Sequence, residues 1–561
     1  MEKRLILAFA LTILVFIGFQ HFQQKSLEEG AKMQEPAQVP VQSQPAPSPV
    51  KVIPAVELAP AGNAAVSAND TVAANQSVVI GGDLYKAVLD NRGAVIGSWE
   101  LSKYKSAQLK NFEMIATNHG GANRLFPGSL LFEDQKLTNL ANNEPYEITV
   151  NDAPYTGQEL IPPATVVMRL RRGDLSVEKR FSFSKENCLV DLSSNFTLGG
   201  KVLSGRFFLG QDIGPEREHL LSSTNLEVAY YSGGKVRREG PPDDEKEIKR
   251  LDGDVRWVGL DMQYFTMIAI PSAPLQYIEI QKRGVKAVGV DGKQVDRNLL
   301  RVTIPANGSL QYQMFIGAKN QPDLKAVKNA DITGVVNYGM FSILVYPLLA
   351  SLRWIYQFVH NYGLAIIVLT LLLSLLLFPF RLKQIVSMKK MSVIQPKVKE
   401  VQEKYRRYKK TDPKRAEMNQ EIMALYKEHN VNPLGGCLPL ILQMPLLFAF
   451  YSLLAYSIEL RQAPFVLWII DLSAKDPYYV LPIVMGITAF ISQKMTPMTP
   501  GTDPTQAKVM MLMPVIFTFM FLNLSSGLNL YFLCSNIFQV GFQKIAERWI
   551  SDGKADNPAK S

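Results

Sequence analysis

The chain has 561 residues, too many for one ordinary hydrophobic core, so two or more folded units joined by linkers are expected. A mean hydropathy near zero hides long apolar runs toward the C-terminus, diluted by a polar region between about residues 80 and 320. The net charge of +10 raises nucleic acid or an anionic membrane surface as partners, while three cysteines (Cys188, Cys437, Cys534) exclude a disulfide framework and a cysteine metal quartet.

The N-terminus reads Lys3-Arg4 followed by an apolar run from Leu5 to Phe19. That run ends without the small residues signal peptidase needs, so residues 1–23 read as a retained signal anchor that starts in the cytoplasm and exports the polar region after it. Residues 24–77 are rich in Pro, Ala and Gln and read as a tether. Residues 78–320 carry short alternating stretches such as Leu175-Ser176-Val177-Glu178-Lys179-Arg180-Phe181-Ser182-Phe183, broken by turn residues, which predicts an antiparallel β-sandwich on the exported side. His119 and His219 stand apart there, with no nucleophile motif or metal-ligand spacing, so a structural or docking domain is expected rather than an enzyme. Residues 321–355 mix apolar and polar positions with Tyr338, Phe341, Tyr346 and Trp354, close to Tyr356, and read as an interfacial helical segment.

Five further spans follow at about 356–380, 438–456, 478–493, 509–524 and 527–540, six in all with the anchor. Several are shorter than the roughly 20 residues an ordinary bilayer core demands, which predicts a thinned membrane or a bundle partly open to water. The positive charge is concentrated in residues 382–430, a basic block between two spans and therefore cytoplasmic. Counting crossings places both termini in the cytoplasm and the large domain outside it; residues 431–545 form the rest of the core and 546–561 a short tail.

The basic block reads as a helical hairpin, because Thr411-Asp412-Pro413 supplies an N-cap and a proline suited to the first helical position. Lys397, Lys399, Lys404, Arg406, Arg407, Lys409 and Lys410 either contact a cytoplasmic partner or anchor the loop as positive-inside charge; the two readings are compatible. Within the spans the polar residues are informative, since an unsatisfied polar group in hydrocarbon costs several kcal/mol. Thr370 and Ser374 are an i, i+4 pair, and Tyr531, Ser535 and Gln539 repeat at the same interval. Asn529 and Asn536 lie seven apart on the adjoining arc, and Gln443 sits just before Pro445. Interhelical hydrogen bonding explains any one of them; their accumulation favours a wet, polar-lined interior.

Val431-Asn432-Pro433-Leu434-Gly435-Gly436-Cys437, then Gln443-Met444-Pro445, then Glu459-Leu460-Arg461-Gln462-Ala463-Pro464-Phe465, Asp471-Leu472-Ser473 and Asp476-Pro477-Tyr478-Tyr479 resemble the YidC/Oxa family of membrane insertases. The large exported domain and six spans resemble its Gram-negative YidC form. The resemblance implies a mixed fold, a polytopic α-helical bundle plus an exported antiparallel β-super-sandwich. It implies partners in nascent membrane proteins, the ribosome, the Sec translocon and lipids, and a groove open to the cytoplasm and lipid. It brings no catalytic residue, cofactor, metal or small-molecule substrate. Thr370, Gln443 and Tyr531 match groove positions of the family, whereas Phe532 stands where a second tyrosine is common. Ser374 stands where the family carries a groove-facing basic residue. Arg381, seven residues later on nearly the same helical face, is the candidate charge at the groove mouth, its side chain leaning toward the helix N-terminus and so into the membrane. The tail departs as well, since Arg548, Lys554 and Lys560 are offset by Glu547, Asp552 and Asp556.

A client helix of about 20 apolar residues gains on the order of 10 kcal/mol on entering lipid. Each charged residue of its flank costs roughly 3 kcal/mol or more at the bilayer centre, so a few cancel the gain. A polar groove and a thinned bilayer would lower that barrier while the apolar segment leaves sideways. No phosphate-binding loop is present, so partitioning and the membrane potential are the expected energy sources. A transporter or channel is the alternative, and it predicts intramembrane charges and broken helices repeated in two halves, which the sequence lacks.

Overall fold

The computed structural model describes residues 75–106, 110–115, 125–214, 226–288, 294–408, 414–429, 438–495 and 504–551. The expected anchor, the tether as far as residue 74, His119, His219, Lys409, Lys410, the Thr411-Asp412-Pro413 turn and Cys437 lie outside these residues, and Ser77, expected at the end of the tether, already belongs to the first strand. The chain divides between Val336 and Asn337 into two compact units.

The first unit is built of two antiparallel sheets. β1 (Ser77–Gly81), β2 (Tyr85–Asp90), β3 (Val95–Lys105) and β4 (Asn111–Glu113) form a four-stranded sheet in that order. The second sheet has 15 strands and begins with β5 (Leu130–Leu131), β6 (Glu147–Val150), β7 (Ala153–Pro154), β8 (Ala164–Arg172) and β9 (Leu175–Phe183), with helix α1 (Gln135–Asn143) after β5. It continues with β10 (Leu189–Leu198), β11 (Lys201–Val202), β12 (Ser204–Gly210), β13 (Glu227–Ser232) and β14 (Lys235–Glu239). It ends with β15 (Ile248–Asp261), β16 (Phe265–Pro271), β17 (Leu275–Val288), β18 (Gln294–Asn307) and β19 (Ser309–Ala318). Its main path runs β5-β12-β18-β17-β15-β16-β19-β10-β9-β8-β6-β7. The hairpin between β13 and β14 turns on Gly233-Gly234, both with positive φ (60° and 80°), as a two-residue turn matched to strand twist requires.

Stacked rings join the sheets: Phe112 of β4 lies 4.0 Å from Phe265 of β16, and Trp99 of β3 lies 6.3 Å from Phe183 of β9. β9 alternates as its sequence predicts, burying Leu175, Val177, Phe181 and Phe183. The same alternation buries Lys179 completely. Its Nζ donates to the carbonyls of Gly93 (2.6 Å), Gly128 (2.7 Å) and Ala94 (3.3 Å), one acceptor for each N–H of an ammonium. Burial pushes the Lys179 amine down to about 7. A second buried cluster sets Asp261 against Lys319 (3.0 Å) and Arg238 (3.4 Å), and Arg238 also reaches Glu227 (3.7 Å).

After α2 (Gln321–Lys325), which closes the sheet unit, the second unit is helical: α3 (Ser342–Val359), α4 (Tyr362–Lys404), α5 (Lys414–Glu428), α6 (Leu438–Tyr456), α7 (Val480–Met495), α8 (Pro504–Phe521) and α9 (Ser526–Ser551). The apolar run read as starting near Tyr356 is divided. His360 ends α3 in the left-handed region (φ 51°), and Asn361 caps α4 by accepting from the Leu364 amide at 3.1 Å. α4 then runs 43 residues, about 65 Å at 1.5 Å per residue, so the span and the first arm of the basic hairpin are one continuous helix. α5 folds back on that arm through Met391, Ile394, Val398, Ile422 and Tyr426.

By length and composition, Gly339–Val359 and Tyr362–Ser387 are long and apolar enough to cross a membrane, and Met444–Tyr456, Val480–Met495 and Met511–Phe521 are shorter apolar helices. Leu376, Phe380, Ile487 and Phe519 are exposed, which reverses the pattern of a water-soluble bundle.

Candidate substrate groove

The polar residues of α4 and α9 come together because these two helices pack along each other in parallel. Near their N-termini, Ile366 Cδ1 lies 3.6 Å from the point a Cβ on Gly527 would occupy; further along, the Phe378 and Phe542 rings are 5.1 Å apart. Equal rise per residue therefore sets Thr370 level with Tyr531, and Ser374 level with Ser535. All four are buried, and Tyr531 stacks on Phe450 of α6 at 4.1 Å. The Thr370 hydroxyl donates to the Ile366 carbonyl of its own helix (2.6 Å), which satisfies it in an apolar setting and leaves its oxygen able to accept. Asn536 and Gln539 are half-buried. The backbone of Gln443 belongs to α6, and its side chain lies outside the described residues. The arrangement is a stripe of hydroxyls and amides packed between helices, closed at the level of Thr370 and Tyr531 and more open toward Gln539.

Asn529 serves a different purpose from Asn536. Its Nδ2 donates to the carbonyls of Phe521 (3.2 Å), Leu524 (3.3 Å) and Ser525 (3.3 Å), fastening the turn between α8 and α9. Arg381 is half-buried, and its Nη1 is a buried atom without a hydrogen-bond partner. In the hairpin Lys397, Lys399, Lys404, Arg406 and Arg407 are exposed; Lys404 pairs with Glu421 at 3.1 Å and Lys397 meets His429 at 3.1 Å.

The opposite end of the stripe is closed by residues 457–479. Gly363 is needed where α4 starts, since a Cβ there would lie 2.0 Å from the Phe465 ring. Asn361 Nδ2 donates to the Phe465 carbonyl (3.0 Å), and the amides of Ser526 and Gly527 donate to Ala474 (2.7 Å) and Leu472 (2.8 Å). Asp476 is fully buried, and its carboxylate accepts from Trp468 Nε1 (3.0 Å) and the amides of Tyr478 (3.0 Å) and Leu481 (2.7 Å). Arg353 of α3 grips Glu459, with Nε at 2.9 Å and Nη2 on the same oxygen. Sequence reasoning assigned no role to Asp476 or to this pair. Asp-Pro ahead of an apolar run is a helix-start signal that points to Asp476; a pair 106 residues apart leaves no local signal.

A family profile described as the YidC periplasmic domain matches residues 77–351, and one described as the 60Kd inner membrane protein matches residues 354–553. The chain is 34% identical to the membrane protein insertase YidC of Geotalea daltonii, across 97% of this chain and 98% of that one. It is 35% identical to the membrane protein insertase YidC of Syntrophus aciditrophicus, across 97% and 99%. A solved structure described as an active YidC insertase with its first transmembrane domain resolved is 16% identical, with a TM-score of 0.36 over 84% of this chain and 92% of that chain.

Proposed function

This chain belongs to the YidC family of membrane protein insertases, and from that premise we propose how it moves its substrates. It is a membrane protein with a periplasmic domain, and nascent membrane proteins are its substrates. The hydrophilic flank of a client enters between α4 and α9 from the end marked by Arg381 and Gln539. It exchanges water for Asn536, Ser535, Ser374 and Thr370 as it advances, and Tyr531 completes the lining. The apolar segment meanwhile leaves sideways past the exposed apolar faces. The carrying observation is the buried stripe on two parallel helices, with its outer end fastened by residues 457–479.

Arg381 supplies the charge at the mouth. Seven residues from Ser374 and with a buried N–H left to donate, it suits an acidic or carbonyl-rich flank. The exposed lysines and arginines of the α4–α5 hairpin are where ribosomal RNA or the nascent chain docks in the cytoplasm, and the chain acts alone or beside the Sec translocon. In this topology the membrane is the bacterial inner membrane and both termini are cytoplasmic. The test is insertion of a single-span client with an acidic flank into vesicles holding the purified chain. Arg381→Gln is expected to slow insertion of that client and to spare one with a neutral flank; Ser374→Ala is expected to slow both. Equal, negligible loss in both variants would refute the assignment of the mouth.

A further inference from the structure

The segment between α6 and α7 carries an apolar apex that neither packing nor backbone preference explains. Val466, Leu467 and Ile470 are 47%, 83% and 76% exposed. Leu467 also holds φ 53°, the left-handed region where a Cβ crowds the following carbonyl and glycine is favoured. In water, glycine would serve this position better on both counts, because it removes the strain and the exposed hydrocarbon together. The apex is nevertheless firmly built. The Phe465 amide donates to the Ile469 carbonyl (2.9 Å), the Ile469 amide to the Val466 carbonyl (3.1 Å), and Trp468 is held by Asp476 and set edge-on to Tyr478 at 5.9 Å. The carboxylate of Asp471, the one charge between Gln462 and Ala474, is turned back onto the Ser473 amide (2.8 Å) and hydroxyl (2.7 Å). Beyond it, exposed Tyr478 and Tyr479 lead into Val480, Ile483, Val484 and Ile487, the exposed stripe of α7 at helical spacing.

We propose that residues 464–470 are a membrane wedge. Leu467 and Ile470 enter the acyl region of the leaflet on this side, with Trp468 and Tyr478 at headgroup level, and the occupant of the apolar surface is lipid. The continuity with the outward stripe of α7 favours lipid over a protein partner, and transfer of the side chain into hydrocarbon offsets the strain at Leu467. The wedge seats this end of the bundle deep in its leaflet, shortening the path a client flank must cross. This inference rests on the reading of α6 and α7 as membrane-spanning.

The test uses the full chain with Cys188, Cys437 and Cys534 replaced by serine and one new cysteine, Leu467→Cys or Lys475→Cys. Each is labelled with nitrobenzoxadiazole in vesicles of phosphatidylethanolamine and phosphatidylglycerol. The Leu467 label is expected to be quenched by lipids brominated on the acyl chain and to be several-fold less accessible to aqueous iodide than the Lys475 label. Iodide quenching equal to that at Lys475 overturns the wedge, and so does protection from both quenchers, which would show a protein surface instead. Client insertion by the same vesicles separates the two readings: normal insertion with a water-exposed apex overturns the wedge alone. A second variant, Leu467→Gly, relieves the left-handed strain and so keeps the segment folded. Quenching of Trp468 by brominated lipid is expected to fall in it, and unchanged quenching overturns Leu467 as the side chain that sets depth.

Discussion

Replacing Asp476 by alanine is expected to open the outer end of the helical unit. The side chain is fully buried and receives three donors, Trp468 Nε1 at 3.0 Å and the amides of Tyr478 at 3.0 Å and Leu481 at 2.7 Å. Hydrogen bonds to a charged group contribute about 1.5–3 kcal/mol each, and a donor left buried without a partner costs a comparable amount. Tyr478 is an exposed residue, so water can take over its amide, which leaves two donors to count in full. The expected loss is therefore about 3–6 kcal/mol. Asp476→Asn, which keeps the shape and an acceptor oxygen, is expected to lose about half as much. The assay is thermal unfolding of the full chain in detergent, followed by helical circular dichroism, with protease access to residues 457–479 as a local readout. A loss below about 1 kcal/mol in Asp476→Ala, with unchanged protease access, would refute the claim that this carboxylate fastens the outer segment.

Lys179 yields a pH prediction of definite sign. Its folded-state value of about 7 lies below the roughly 10.4 of an unfolded lysine, so between about pH 7 and 10 the unfolded chain binds the extra proton. Stability therefore rises with pH across that window, by about 1.4 kcal/mol per unit at most, and the gain is fully lost once pH has fallen to about 7. Lys179→Met is expected to remove that slope in urea unfolding followed by β-sheet circular dichroism; equal slopes would mean the three carbonyls keep the ammonium charged. Gly363→Val is expected to cost about 1–3 kcal/mol, because its Cβ would meet the Phe465 ring, and Phe465→Ala in the same chain should recover part of it in the thermal midpoint. Deleting residues 78–319 should leave insertion measurable while the bundle stays folded; complete loss of insertion would move the working part to the exported unit.

Much of the fold is legible in the sequence because burial imposes a period. The alternation of 175–183 marks β9, and Gly233-Gly234 marks a hairpin turn, since both residues adopt positive φ. What stays hidden is which polar side chains serve the backbone. Lys179 has the spacing of a core residue and the chemistry of a surface one, and only the carbonyls of Gly93, Ala94 and Gly128, far away in sequence, explain it. In the helical unit the i, i+4 spacing of Thr370 with Ser374 and of Tyr531 with Ser535 carries the stripe. Asn529 and Asn536 look equivalent by spacing, yet the carbonyl at the end of α8 and two in the turn after it claim the first. The break at His360 leaves only a short mark, the polar pair His360-Asn361 with Asn a favoured N-cap, which a count of apolar residues passes over.

The most direct test of the proposed groove is photocrosslinking from Thr370, Tyr531 and Gln539 to a ribosome-stalled nascent membrane protein. The exposed face of α7 at Ile487 serves as a reference. As the nascent chain lengthens, contacts are expected first at Gln539, then at Thr370 and Tyr531, with Ile487 meeting only the apolar segment. Crosslinks absent from all three stripe positions, or a hydrophilic flank captured at Ile487 instead, would contradict passage between α4 and α9.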